Sequence, residues 1–163
     1  MKRRGWIRLI VLVLVGLAAA GCATMMAEKP MLYERLTAVD FLPGGLDRVV
    51  AGRDAIALVV DDFVANVVAD NRINARFKGL KPLEVLKLKA NLADQICMAA
   101  GGPCAYLGRD MKMAHKGMNI TEAEWNATVE ALVKALDKRK VREAEKKELL
   151  GLLGPLRGEI VGQ

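Results

Sequence analysis

From residue 54 onward, apolar residues recur at three- and four-residue steps, which predicts helices punctuated by glycine and proline. Ile56, Val60, Phe63 and Val67 fall on one stripe, with Val64 and Val68 beside them. The many valines would suit a strand equally well, but a two-residue period fails at Asp61-Asp62. This helix should end near Asp70-Asn71, with one further short turn over residues 72–77. Gly79 breaks the chain, and Pro82 opens a second helix at a position that tolerates its missing amide. That helix runs to about Ala100 with Val85, Leu88, Leu92, Ile96 and Ala99 on one face, and Gly101-Gly102-Pro103 stops it. Thr121-Glu122-Ala123-Glu124 has the form of a capping box, so a third helix should run from Thr121 to about Lys138 and bury Trp125, Val129, Leu132 and Leu136. A fourth, from about Arg142 to Val161, presents Leu149, Leu152, Leu153, Leu156 and Ile160. Gly154-Pro155 should kink it, because proline removes a ladder bond and crowds the preceding turn. Ahead of these, residues 31–36 predict one or two helical turns, and residues 37–53 a loop with room for a short helix at 46–50. The pattern is that of an all-α domain with four principal helices.

The first residues follow another rule. Lys2, Arg3, Arg4 and Arg8 lead into an apolar run at 9–20 that falls short of the roughly 20 residues a spanning helix needs, and so reads as a secretory signal. The run ends Ala18-Ala19-Ala20-Gly21-Cys22, which resembles a bacterial lipobox whose cysteine is acylated and becomes the first residue of a lipoprotein. Ala19 stands where leucine is commonest, and an ordinary cleaved signal or an uncleaved anchor are the other readings. Ala23, rather than Asp, would suit outer-membrane sorting in a Gram-negative host. The organisation expected is therefore a signal at 1–21, a tether at 22–30 and one domain at 31–163, held on the periplasmic face of a membrane through Cys22.

Removing residues 1–21 leaves 142 residues with 21 Lys and Arg against 19 Asp and Glu, so the net charge falls from +6 to +2. That gives no footing for nucleic-acid binding, which needs a clustered basic face. The length suffices for one domain with a real core. Cys97 and Cys104, seven apart in a chain expected to be exported, can form a disulfide or stay as two thiols. Their spacing is not that of a metal site.

Candidate chemistry concentrates in residues 101–121, GGPCAYLGRDMKMAHKGMNIT, which hold the sole histidine of the chain, His115. Met111, Met113 and Met118 frame it, and Tyr106, Arg109 and Lys112 precede it. An imidazole among soft apolar side chains with cations nearby suits an iron porphyrin, the ring supplying an axial ligand and the methionines packing the macrocycle. The competing reading is an ordinary surface or core histidine.

The spacing GGP-x-x-Y-x-G-x-x-M-K-x-x-H-x-G-x-x-I-T, together with LYERL at 32–36, DDF…ADN…F at 61–77 and LLGPLRGEIV near the end, resembles the group I truncated hemoglobins. The resemblance spans about 31–161 and implies a two-over-two helical sandwich enclosing one heme b per chain. It implies that His115 is the proximal iron ligand and that Phe77 wedges against the porphyrin. Met111, Ile120 and Trp125 match heme-lining positions, and Tyr106, Arg109 and Lys112 fall where propionate contacts occur.

Departures from that pattern bear on mechanism. Val64, after Phe63, stands where the family typically carries a tyrosine that donates a hydrogen bond to bound gas. Leu92 replaces a distal glutamine, Leu88 lies one turn back, and Gln95 occupies an aromatic position. A buried donor stabilises bound dioxygen, which carries partial negative charge, by about 1.5–3 kcal/mol. Losing both donors should speed dioxygen release by roughly ten- to a hundred-fold. Nitric oxide and carbon monoxide, less polarised, should lose less; Gln95, Lys89 or a water can restore a donor. Three functions are then in contention. The first is a membrane-tethered globin binding dioxygen, nitric oxide or carbon monoxide. The second is a nitric oxide dioxygenase or peroxidase-like enzyme, which needs a reductase from elsewhere because the chain has no flavin or nicotinamide motif. The third is a heme-free helical lipoprotein acting as an adaptor.

Overall fold

The computed structural model describes residues 29–37 and 52–163. The expected signal at 1–21, Cys22, most of the tether and the 46–50 helix lie outside the described residues. Among the described residues there are seven helices: α1 (Leu32–Leu36), α2 (Arg53–Ala69), α3 (Pro82–Ala99), α4 (Met111–His115), α5 (Glu122–Lys138), α6 (Glu143–Leu153) and α7 (Arg157–Ile160). A tight turn at Asn74–Arg76 follows α2, and a second at Gly154–Leu156 joins α6 to α7, at the kink Gly154-Pro155 predicts. The ends of α2, α3 and α5 fall within a residue of those the apolar period marks. No strand forms among the described residues; a single parallel bridge pairs Ile120 with Val161.

α2 lies at the centre, packed against α3 on one side and α5 on the other, while α6 covers α1 and touches α3. Val60, Val67, Leu136 and Leu149 are essentially fully buried and meet in this core. Each contributes about 1.5–3 kcal/mol by leaving water. Two positions expected on the apolar faces are exposed. Val68 is exposed on α2, and Leu152 keeps 45 % of its surface in solvent. The buried stripe of α6 passes through Glu145 and Leu149, and Leu153 rather than Leu152 continues it at the next four-residue step.

Buried charge is paired across these contacts. Asp62 on α2 accepts from Lys138 Nζ and Arg139 Nε at the end of α5, both at 2.5 Å. Burial pushes its carboxyl up, and the two cations overcome that and hold it below the usual carboxylate range. Glu145 behaves likewise, accepting from Arg35 of α1 and from Arg142, each at 3.0 Å.

A disulfide joins Cys97 in the last turn of α3 to Cys104, with Cα atoms 5.8 Å apart. The elbow between them needs its glycines. Gly101 sits at φ +84°, and a Cβ on Gly102 would come within 2.4 Å of the Tyr33 ring and 2.7 Å of Cys97 Sγ. Tyr33 N–H donates to the Ala100 carbonyl at 2.8 Å, docking α1 on this elbow.

Candidate functional site

The five residues of α4 are too few to hold a helix by themselves. Asp110 Oδ1 accepts from the Met113 amide at 2.9 Å and caps the first turn. After His115, Gly117 at φ +79° and Asn119 at φ 49° reverse the chain. Asn119 N–H then donates to the Gln163 carbonyl at 2.5 Å and Gly162 N–H to the Ile120 carbonyl at 2.9 Å. α4 is thus pinned between its cap and the last residues of the chain.

On this short helix His115 Nδ1 lies 2.8 Å from the Met111 carbonyl. A carbonyl can only accept, so Nδ1 carries a proton, and in the neutral ring it is Nε2 that holds the lone pair. The ring faces a cavity of about 440 Å³. Phe63, Val64 and Val67 of α2, Leu88 and Leu92 of α3, and Phe77 and Leu80 between them line it. Met111 and Ala114 of α4, Met118 and Ile120 beyond it, and Trp125 of α5 complete the apolar wall.

Ten of the eleven residues expected at a cofactor line this cavity: His115, Phe77, Val64, Leu88, Leu92, Tyr106, Arg109, Met111, Ile120 and Trp125. Lys112 does not. Met111, Ala114 and His115 take the inner face of α4, which turns Lys112 and Met113 out to solvent. At the rim Tyr106 Oη donates to the Arg109 carbonyl at 2.7 Å, and burial pushes its phenol up.

Two charged residues that no sequence motif marks as part of a site, Arg76 and Glu124, also line the cavity. Arg76 Nε donates to Glu124 Oε1 at 2.7 Å and Nη1 to the Met118 carbonyl at 2.8 Å. Glu124 also accepts from the Thr121 amide at 2.8 Å, completing the expected capping box. The Arg76 hydrogen bond, then that of the Thr121 amide, hold the Glu124 carboxyl down at about 2. Asn91 and Gln95 are the polar residues of the α3 wall; Asn91 is exposed to solvent, and Gln95 Nε2 donates to Met111 Sδ at 3.3 Å. The arrangement fits a flat apolar cofactor that brings its own metal. Among the described residues no group of three His, Cys, Asp or Glu side chains can hold a metal ion. A metal at His115 therefore draws most of its donors from an organic frame, as in a porphyrin.

The bacterial-like globin family model matches residues 47–161. The chain belongs to this family. A group 1 truncated hemoglobin of Mycolicibacterium paratuberculosis is 32% identical over 111 residues, covering 68% of this chain and 79% of the relative. One from Tetrahymena pyriformis is 30% identical over 114 residues, covering 70% and 92%. The crystal structure of the Tetrahymena pyriformis truncated hemoglobin in its Fe(III) form superposes with a TM-score of 0.67 at 28% identity, over 82% of this chain and all of that one. The 2/2 hemoglobin of Synechococcus sp. PCC 7002, in the cyanomet state with covalently attached heme, gives 0.66 at 26% identity, over 81% and 98%. The globin therefore has the two-over-two fold, and one heme per chain is the cofactor that goes with this family.

Proposed function

We propose that this globin holds heme b in the 440 Å³ cavity through His115 and binds diatomic gases in a pocket that favours nitric oxide and carbon monoxide over dioxygen. The observation that carries the first half is the Nδ1 hydrogen bond to the Met111 carbonyl, which leaves Nε2 as a neutral donor beside an apolar slot. A ring so oriented by its second nitrogen is the usual state of a metal-ligating histidine. Heme would supply an iron with one position open to a diatomic gas. Phe77, Met111, Ile120 and Trp125 would pack the macrocycle, and Arg109 and Tyr106 at the rim would meet its carboxylates.

The second half rests on what the cavity wall offers a gas. Val64, Leu88 and Leu92 present only alkyl groups, and Asn91, which shares the α3 wall, is exposed to solvent. Arg76 donates to Glu124 and the Met118 carbonyl, and one N–H of the Gln95 amide points to a sulfur. Dioxygen, the most polarised of the three gases, gives up the most in such a setting.

Hemin titration of the wild type and of His115→Ala tests the cofactor site. The wild type should develop a Soret band at one heme per chain, and the variant should bind far more weakly; identical colourless spectra refute the reading. Dioxygen release from the ferrous protein tests the selectivity, and release as slow as in relatives with a distal tyrosine refutes it. Anchoring through an acylated Cys22 on the periplasmic side is part of the same proposal, and mass spectrometry of the mature N-terminus checks it.

A further inference from the structure

The disulfide between Cys97 and Cys104 joins the two walls of the cavity. Cys97 belongs to α3, which carries Leu88, Leu92 and Gln95, while Cys104 opens the loop that leads to α4 and His115. That loop has no regular structure from 104 to 110, yet it supplies Tyr106 and Arg109 to the rim and Asp110 to the cap of α4. The Tyr106 hydrogen bond closes within the loop, on Arg109. Among the described residues no hydrogen bond joins 103–109 to another element. The sulfur–sulfur bond is therefore what fastens this stretch to α3.

The two sulfurs differ in access. Cys97 is 0 % exposed, in the tight space that Gly102 leaves beside Tyr33, whereas Cys104 is half-buried. A thiolate arriving from solvent meets Cys104 first.

We propose that this bridge is a reducible site, opened by a dithiol, and that its state sets how long the cavity retains heme. The inference rests on the heme reading above. One thiolate of the dithiol attacks Cys104 Sγ; the Cys97–Cys104 bond breaks, and Cys97 leaves as a thiolate that takes up a proton. The second sulfur of the dithiol then attacks the mixed disulfide, closes the reagent's own disulfide and releases Cys104 as a thiol. Two electrons and two protons pass to the protein. Reduced Cys97 stays in place as a small apolar core side chain, so the helices persist. The 104–110 loop loses its tie, Tyr106 and Arg109 lose their fixed place at the rim, and heme leaves faster.

The full chain loaded with hemin provides the test, with heme transfer to excess apomyoglobin followed by absorbance. Three samples are compared: disulfide-bonded protein, the same protein after dithiothreitol, and Cys104→Ser. Transfer should be about tenfold faster in the last two, the change expected when about one anchoring interaction is lost. Dithiothreitol should add nothing to Cys104→Ser, and helix content by circular dichroism should stay level throughout. Should Cys104→Ser not fold, the Cys97→Ala/Cys104→Ala pair gives the same comparison. Equal transfer rates in every sample overturn the inference, as does a thiol count that dithiothreitol leaves unchanged. A wild type that takes up no hemin, with a spectrum like that of His115→Ala, removes the heme reading and this inference together.

Discussion

Val64 sits fully inside the structure on α2 with its methyl groups on the cavity wall. Tyrosine there would add a hydroxyl donor, and Val64→Tyr should slow dioxygen release by about ten- to a hundred-fold, measured by stopped-flow mixing of the oxy protein with carbon monoxide. Elsewhere on the cavity wall, Arg76 keeps the Glu124 carboxyl at about 2. In Arg76→Ala that carboxyl should titrate closer to 4.5, its ordinary value, as seen by carbon-detected NMR of the side chain. His115 stood out as the sole imidazole inside a specific motif, and its cavity-facing place followed. Arg76 and Glu124 did not stand out, because 48 residues separate them and Glu124 already had a local explanation as a cap. Lys112 lies outside the cavity, on the solvent side of α4. A five-residue helix is too short to display a period, so nothing in the sequence separated its inner face from its outer one.

Among the elements, α2, α3 and α5 were legible to within a residue because each is long enough for its apolar stripe and its punctuation to agree. The fourth helix was legible at its start and at the Gly154-Pro155 break, where α6 ends and α7 takes over, but the stripe α6 buries includes a carboxylate, Glu145, that hydropathy counts as surface. α4 depends most on single contacts. Asp110→Ala removes the cap that accepts from Met113, at a cost of about 1 kcal/mol by the usual N-cap scale. Faster hydrogen exchange over 111–115 than in the wild type, with α5 unaffected, is the expected result. The elbow after α3 tolerates substitution less. Gly102→Ala places a methyl against the Tyr33 ring and Cys97 Sγ, and overpacking of this kind costs about 1–3 kcal/mol, readable as a lowered urea midpoint.

For the whole molecule, the paired carboxylates set the acid limit. Asp62, Glu145 and Glu124 all titrate lower in the folded chain than their ordinary values. A depressed carboxyl contributes stability that is complete above its unfolded pKa and disappears as pH falls through its folded one. For Glu124 that window runs from 4.5 down to about 2. Stability should accordingly hold near neutral pH and fall steeply below about 4.5, and Arg76→Ala should flatten the lower part of that fall in urea titrations repeated at several pH values. The disulfide works on the unfolded ensemble instead. Closing a loop whose ends lie seven residues apart is worth about 2.5 kcal/mol on the chain-entropy scale.

The pairing of Asn119 with Gln163 and of Ile120 with Val161 has a consequence for the order in which the protein is made. A ribosome delivers the histidine-bearing turn some fifty residues before its clasp. Until residues 161–163 emerge, that turn has nothing to close on, so cofactor capture is completed only after translation has passed them.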